Sequence, residues 1–235
     1  MTDLAELREA VLEANLALPA QGLVKLTWGN ASGVDRDRGL MAIKASGVAY
    51  DRMTADDVVL IDLQSGEVVT DPARRERRPS TDTPTHRALY NAFDRIGGIV
   101  HTHSTWATAW AQAEQEIPLL GTTHADLMAE AVPLTRPLTA DEVDRDYEGE
   151  TGTVLIELIG ERVEELPAAL VRGHAPFCWA ATPAAAVTVA VTLEEVARLA
   201  LLTRLLRSDG GPLADVLRDK HHQRKHGPGA YYGQS

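Results

Sequence analysis

The chain opens with apolar residues at helical spacing: Leu4, Leu7, Val11, Ala14 and Leu18 fall on one face. Asp3 with Glu6 three residues on gives a start signal, and Pro19 and Gly22 give the stop. Residues 23–28 predict a strand that stops at Gly29-Asn30. Residues 40–44 predict the return strand after the polar turn 35–39, and Ser46-Gly47 breaks it. Residues 58–63 and 67–70 flank Gln64-Ser65-Gly66 as a hairpin. Thr83 and Pro84 predict the cap and first position of a helix reaching Phe93. Ile99 and Val100 end a buried strand, and Ser104 predicts the N-cap of a helix that starts at Thr105. Residues 117–122 predict another strand and residues 139–150 a helix with an acidic face. Residues 153–158, 168–172 and 177–181 predict three more strands, the last after a turn at His174-Ala175-Pro176. Thr182-Pro183 opens the longest helix, to about Arg207, with Val187, Val191, Val196 and Leu199 on its buried face. Gly210-Gly211 separates it from a last helix over 213–226. Short strands interleaved with helices and hairpins predict an α/β fold, a largely antiparallel central sheet covered by helices on both faces.

Composition narrows the class. At 235 residues without a linker, one domain spanning 1–235 is expected. A net charge of −11 argues against nucleic acid or an anionic membrane as main partner, though not against an anionic substrate at a local basic site. Cys178 is the single cysteine, so no internal disulfide forms. The longest apolar run, 184–193, is too short to span a bilayer. The acidic first residues lack the parts of a signal peptide, and a cytoplasmic location is the expectation.

The candidate chemistry centres on Val100-His101-Thr102-His103. On a strand, His101 and His103 share a face about 7 Å apart and can converge on one metal ion. The plain alternative is two strand-end histidines satisfied by hydrogen bonds. His174, held in the turn Gly173-His174-Ala175-Pro176, supplies a third imidazole, and three histidines with an open position resemble a catalytic site. Nitrogen ligands admit zinc, manganese or cobalt. Asp82 is a candidate fourth ligand, or simply a cap or turn residue. Lys44 with Ser46-Gly47, and Ser80-Thr81, are candidate anion contacts that ordinary turns also explain; no P-loop is present. Arg74, Arg75, Arg77 and Arg78 read as a solvated loop before a substrate clamp, and residues 220–226 as a solvated basic helix. Asp126 follows a predicted strand end. Tyr231 and Tyr232 in a glycine-rich tail suggest docking onto something, because a disordered tail rarely needs two aromatics.

Leu26-Thr27-Trp28-Gly29-Asn30, Lys44-Ala45-Ser46-Gly47, Ser80-Thr81-Asp82-Thr83-Pro84-Thr85-His86, Ile99-Val100-His101-Thr102-His103-Ser104, Gly121-Thr122-Thr123-His124-Ala125-Asp126 and Ala230-Tyr231-Tyr232-Gly233-Gln234 together resemble the class II aldolase/epimerase family. The likeness runs from about Leu4 to Gln234. The histidines are family-wide; the Asp126 segment and the tyrosine tail resemble the pentulose-phosphate epimerases in particular. Two segments depart, a longer arginine loop at 74–78 and a shorter region at 160–166. The resemblance implies a class II aldolase-like fold and a divalent metal, most often zinc, held by His101, His103 and His174 with Asp82. It implies that Gly29, Asn30, Lys44, Ser46, Gly47, Ser80 and Thr81 bind substrate and phosphate, and that Asp126 and Tyr232 are the acid/base pair. Thr122, Glu148 and His221 match further active-site positions. It also implies a four-fold homotetramer whose tail, 227–235, docks at a subunit interface. There Tyr232 and His221 reach a neighbouring subunit's site, and Tyr232 would work with an Asp126 from a different chain. The implied activity is C4 epimerisation of L-ribulose 5-phosphate to D-xylulose 5-phosphate in arabinose catabolism, by retro-aldol cleavage and re-addition. The nearest rival is a fuculose-phosphate-type aldolase that releases its fragments. A metal-dependent hydrolase fits less well because its barrel needs more chain. A non-catalytic sugar-phosphate binder would leave the acid/base residues idle.

Overall fold

The computed structural model describes residues 4–69 and 77–232. Expectations resting on Asp3, Thr70, Arg74, Arg75, Gly233 and Gln234 lie outside the described residues. After helix α1 (Leu4–Ala20) come β1 (Asn30–Asp35), β2 (Leu40–Lys44), β3 (Val58–Asp62), α2 (Thr83–Ala92) and β4 (Gly98–His101). Then follow α3 (Thr105–Gln112), α4 (Thr122–Leu127), α5 (Ala140–Ile159), β5 (Ala168–Leu170), β6 (Pro176–Ala180), α6 (Pro183–Leu206) and α7 (Asp215–His226). The strands form one six-stranded sheet in the order β3-β2-β1-β4-β6-β5, and each neighbouring pair is antiparallel.

Helices cover both faces, as expected. Adjacent residues of a strand point to opposite faces. Ser32 of β1 bonds His86 and Tyr90 of α2, at 2.7 and 2.8 Å. A side chain on the next residue, Gly33, would strike Leu7 and Val11 of α1 and Pro183 of α6. So α1 and α6 lie on one face and α2, backed by α5, on the other. Gly98 has to be glycine: an added Cβ would lie 2.3 Å from the Pro183 nitrogen, where α6 begins. That close approach fixes α6 against the strand that ends at His101.

Three predicted strands are corrected. Residues 23–28 form turns, with Leu26 at φ 52° and Trp28 N–H donating to the Lys25 carbonyl at 3.0 Å. Leu26 and Trp28 are exposed, so the alternation that mimicked a strand serves a loop, and β1 begins only at Asn30. Residues 153–158 belong to α5, whose Val154, Leu155 and Ile159 are buried; β-branched residues there imitate a strand, but Gly152 brings the helix against Ala88 of α2. Residues 117–122 make one bridge, Ile117 with Val132, and Thr122 starts α4 instead. The second hairpin arm is likewise one bridge, Ile61 with Val68. Asp82, not Thr83, is the N-cap of α2.

Candidate metal centre and active site

β4 delivers the first imidazole. His101 is its last residue, paired with Asn30 across β1 and with Phe177 across β6. Phe177 also stacks on its ring at 4.2 Å between centroids. His101 Nδ1 lies 3.0 Å from the Pro176 carbonyl, which can only accept, so Nδ1 carries the proton and Nε2 keeps its lone pair. His103 is not on the strand; it stands in the connection to α3. The connection is fixed from α6, because the Glu194 carboxylate accepts from the Trp106 and Ala107 amides at 2.8 and 3.0 Å. Ser104 occupies the N-cap position but its side chain makes no cap bond. His174 sits in the turn between β5 and β6, after Gly173 at φ 71°. Its Nδ1 is 3.2 Å from the Tyr147 hydroxyl.

The three rings are nearly equidistant, 4.9 to 5.1 Å between centroids, and one nitrogen from each lies within 4.8 Å of the others. His103 Nε2 and His174 Nε2 are 3.2 Å apart. Two imidazole nitrogens sharing a tetrahedral ion at about 2.0–2.1 Å would lie about 3.3 Å apart. Burial, then the neighbouring histidines, holds His174 down to about 4; burial and His101 also lower His103. Both stay neutral and free to donate lone pairs. The donor set therefore fits a divalent metal ion.

Asp82, expected with these ligands, lines the same pocket but stands outside the histidine group. Its Oδ2 accepts from Asn30 Nδ2 at 2.6 Å. Burial alone would raise its carboxyl, but His101, His86 and Asn30 hold it below the ordinary range.

Beside the histidines the pocket opens to about 600 Å³. Gly29, Asn30, Lys44, Ser46, Gly47, Ser80, Thr81 and Glu148, all expected at the site, line it. Gly29, at φ 77°, brings the loop against the His101 carbonyl, which an added Cβ would meet at 2.9 Å. Lys44 is 2% exposed, with its ammonium 4.9 Å from the Tyr50 ring centroid and 3.3 Å from the Thr27 carbonyl. Burial lowers its pKa, and Asp57 partly offsets that. Arg77 pairs with Asp57 at 2.7 Å instead of reaching into the pocket, so it serves neither as a free solvated charge nor as a clamp.

The remaining expected residues gather elsewhere. Asp126 on α4 accepts a two-point contact from Arg224 of α7, at 3.1 and 2.8 Å, and lies 3.3 Å from His221 Nδ1. The Arg224 guanidinium carbon lies 4.0 Å from the Tyr232 ring centroid. Burial pushes the Asp126 carboxyl up, but Arg224 and His221 outweigh it and hold it low. Within the single chain, Asp126, His221 and Tyr232 thus gather in one cluster around Arg224. None of them lines the histidine pocket; Thr122 lines a separate cavity of about 260 Å³.

The family model for the class II aldolase and adducin N-terminal domain matches residues 9–201. The chain belongs to the class II aldolase family. Metal dependence is general in that family. The chain is 51% identical over 231 residues to a Salmonella typhi protein named L-ribulose-5-phosphate 4-epimerase UlaF, covering 97% of this chain and 99% of that one. The same identity and coverage hold for the protein of that name from Salmonella paratyphi A. Among solved structures, an L-fuculose 1-phosphate aldolase superposes with a TM-score of 0.77 at 23% identity, covering 95% of this chain and 97% of that one. The L-fuculose-1-phosphate aldolase of Thermus thermophilus gives 0.67 at 26% identity, covering 87% and 98%. Within this class II aldolase frame, three contributors had no sequence signal of their own. Tyr50 donates to the Trp28 or Gly29 carbonyl, at 3.0 and 2.8 Å, and so braces the pocket loop. Tyr147 enters the pocket beside Asp146, whose φ of −165° and ψ of 79° break α5. Arg224 lies in the segment that the sequence presents as a solvated basic helix.

Proposed function

We propose that this chain epimerises L-ribulose 5-phosphate at C4, giving D-xylulose 5-phosphate, by cleaving and re-forming C3–C4. The observation that carries the reading is the near full-length likeness to proteins named for that activity, joined to the three-histidine group beside a lysine-lined pocket. The C4 hydrogen is not adjacent to the C2 ketone, so deprotonation at carbon cannot invert it, whereas cleavage next to C4 can. His101, His103 and His174 hold the divalent ion, most often zinc, with manganese and cobalt compatible with the same nitrogens. When bound, that ion supplies Lewis-acid stabilisation of the charge left on the three-carbon fragment. Lys44, Asn30, Ser46, Gly47, Ser80 and Thr81 bind the phosphate, which stays with C4 and C5, and retain glycolaldehyde phosphate while it turns. Asp126 and Tyr232 exchange the C4 hydroxyl proton, one on each face. Because these two groups do not line the histidine pocket, the complete site takes its metal half from one chain and its proton half from another. A homotetramer with the 227–235 tail docked at the subunit interface meets that requirement, and a cytoplasmic sugar-phosphate pathway such as arabinose catabolism is the matching setting.

The test is a product assay with metal-loaded protein and L-ribulose 5-phosphate. D-Xylulose 5-phosphate appears, and chelation abolishes its formation. Stoichiometric release of glycolaldehyde phosphate and dihydroxyacetone would establish the aldolase alternative; turnover by metal-free protein would remove the metal from the reaction.

A further inference from the structure

The proton-half cluster has a centre that its proposed roles do not use. Arg224 Nε donates to Asp126 Oδ1 at 3.1 Å and Nη2 to Asp126 Oδ2 at 2.8 Å. The same guanidinium lies over the Tyr232 ring at 4.0 Å. Its main-chain carbonyl accepts from the Tyr231 and Tyr232 amides at 2.9 and 3.1 Å, so one residue anchors the tail and touches both proton-exchanging side chains. Helix α7 has no buried residue and packs on α4, which leaves these polar contacts to set its register there.

Proton accounting gives the arrangement a purpose. One group takes the C4 hydroxyl proton, and C3–C4 breaks with its electron pair going to the three-carbon fragment. The aldehyde turns, the bond re-forms on the opposite face, and the new C4 oxygen takes a proton from the second group. One group has then gained a proton and the other has lost one. The pair carries a single negative charge before the first transfer and again after the second, first on one side chain and then on the other; in between, that charge sits on the three-carbon fragment. A proton must return between them before the next turnover.

We infer that Arg224 is the positioning residue of the acid/base pair, the cation that lies beside this charge both when Asp126 carries it and when Tyr232 does. A planar guanidinium suits the task. It can hold a carboxylate through its edge while presenting its face to a phenol ring, an arrangement an ammonium cannot reproduce. Of the proton-exchanging pair, His221 contacts Asp126, and the Lys220 ammonium lies over Tyr231, not Tyr232.

The inference rests on the epimerase reading, and its test separates the two. Arg224→Ala should lower kcat about 10²-fold, the scale of one acid–base contribution, with KM and bound metal unchanged. In a Tyr232→Phe background the same change should cost less than about tenfold, because residues acting as a unit lose their effect together. Added methylguanidinium should restore part of the kcat of Arg224→Ala and none of that of Asp126→Asn. If Arg224→Ala does not fold, Arg224→Lys carries the same test: it keeps the charge but not the fork, and kcat should fall at constant KM. Wild-type kcat in the Arg224 variants, or a loss that multiplies in full onto Tyr232→Phe, overturns this role. Wild-type protein without epimerase activity overturns the reading beneath it instead.

Discussion

Lys44 shows how one residue is tuned by its neighbours. It is buried under Tyr50, its hydrogen-bond partners are the Thr27 and Ala45 carbonyls, and the Asp57 carboxylate offsets its burial only in part. In the proposed reaction the substrate phosphate supplies a further anion. Lys44→Met should therefore raise KM for the phosphorylated sugar while kcat changes little, since a charge-assisted contact that holds substrate is lost. Initial-rate kinetics decide this, and an unchanged KM would contradict the role. His86 is tuned in the opposite sense. It is fully buried against Ser32, and burial depresses it from 6.5 to about 3. His124, also buried, falls to about 4. The unfolded chain takes up these protons near pH 6.5 and the folded chain only well below it. Stability is therefore full above about pH 6.5 and is lost progressively as pH falls toward 4 and 3. Thermal unfolding followed from pH 7 to about pH 4 should show a falling Tm, and His86→Gln should flatten part of the slope. A Tm that stays constant over that range would contradict the assignment.

At the scale of elements, the helix after the metal loop depends on a cap supplied from afar. Glu194 of α6 takes the Trp106 and Ala107 amides in the first turn of α3, just beyond the segment carrying His103. Glu194→Ala should cost about 0.5–2 kcal/mol of stability, the usual worth of a cap. It should also weaken metal binding, because the segment carrying His103 loses its anchor. Chelator competition and thermal unfolding check both, and a variant equal to wild type in each would contradict the anchoring. This dependence also marks the limit of what could be read from sequence. Ser104 was legible as the N-cap position, but the group that caps lies far along the chain, in the middle of α6. The periodic elements were legible: α1, the β1–β2 turn, and the Thr182 start of α6 follow from local spacing and caps. Elements that tertiary packing decides were not. The β-branched second half of α5 is helical because Gly152 lets it press on α2, and residues 23–28 turn because Leu26 and Gly29 adopt positive φ. The pocket residues were legible through short motifs. Tyr50, Tyr147 and Arg224 were not, since each acts through a partner distant in sequence or through the break in α5.

For the whole molecule, the arrangement has two halves on one chain: imidazoles beside a lysine-lined pocket at the end of β4, and a carboxylate–guanidinium–phenol cluster where α4 meets α7. The proposed reaction needs both halves, joined across subunits. Subunit mixing tests that most directly. His101→Asn destroys the metal half and Asp126→Asn the proton half, so each homo-oligomer is inactive. After exchange at equal ratio, verified by native mass spectrometry, about a quarter of shared sites combine two intact halves, and about a quarter of wild-type activity should return. Asp126→Asn mixed with Tyr232→Phe should recover nothing, because both lesions lie in the same half and every site keeps one of them. No recovery from the first mixture, or recovery from the second, would contradict the account.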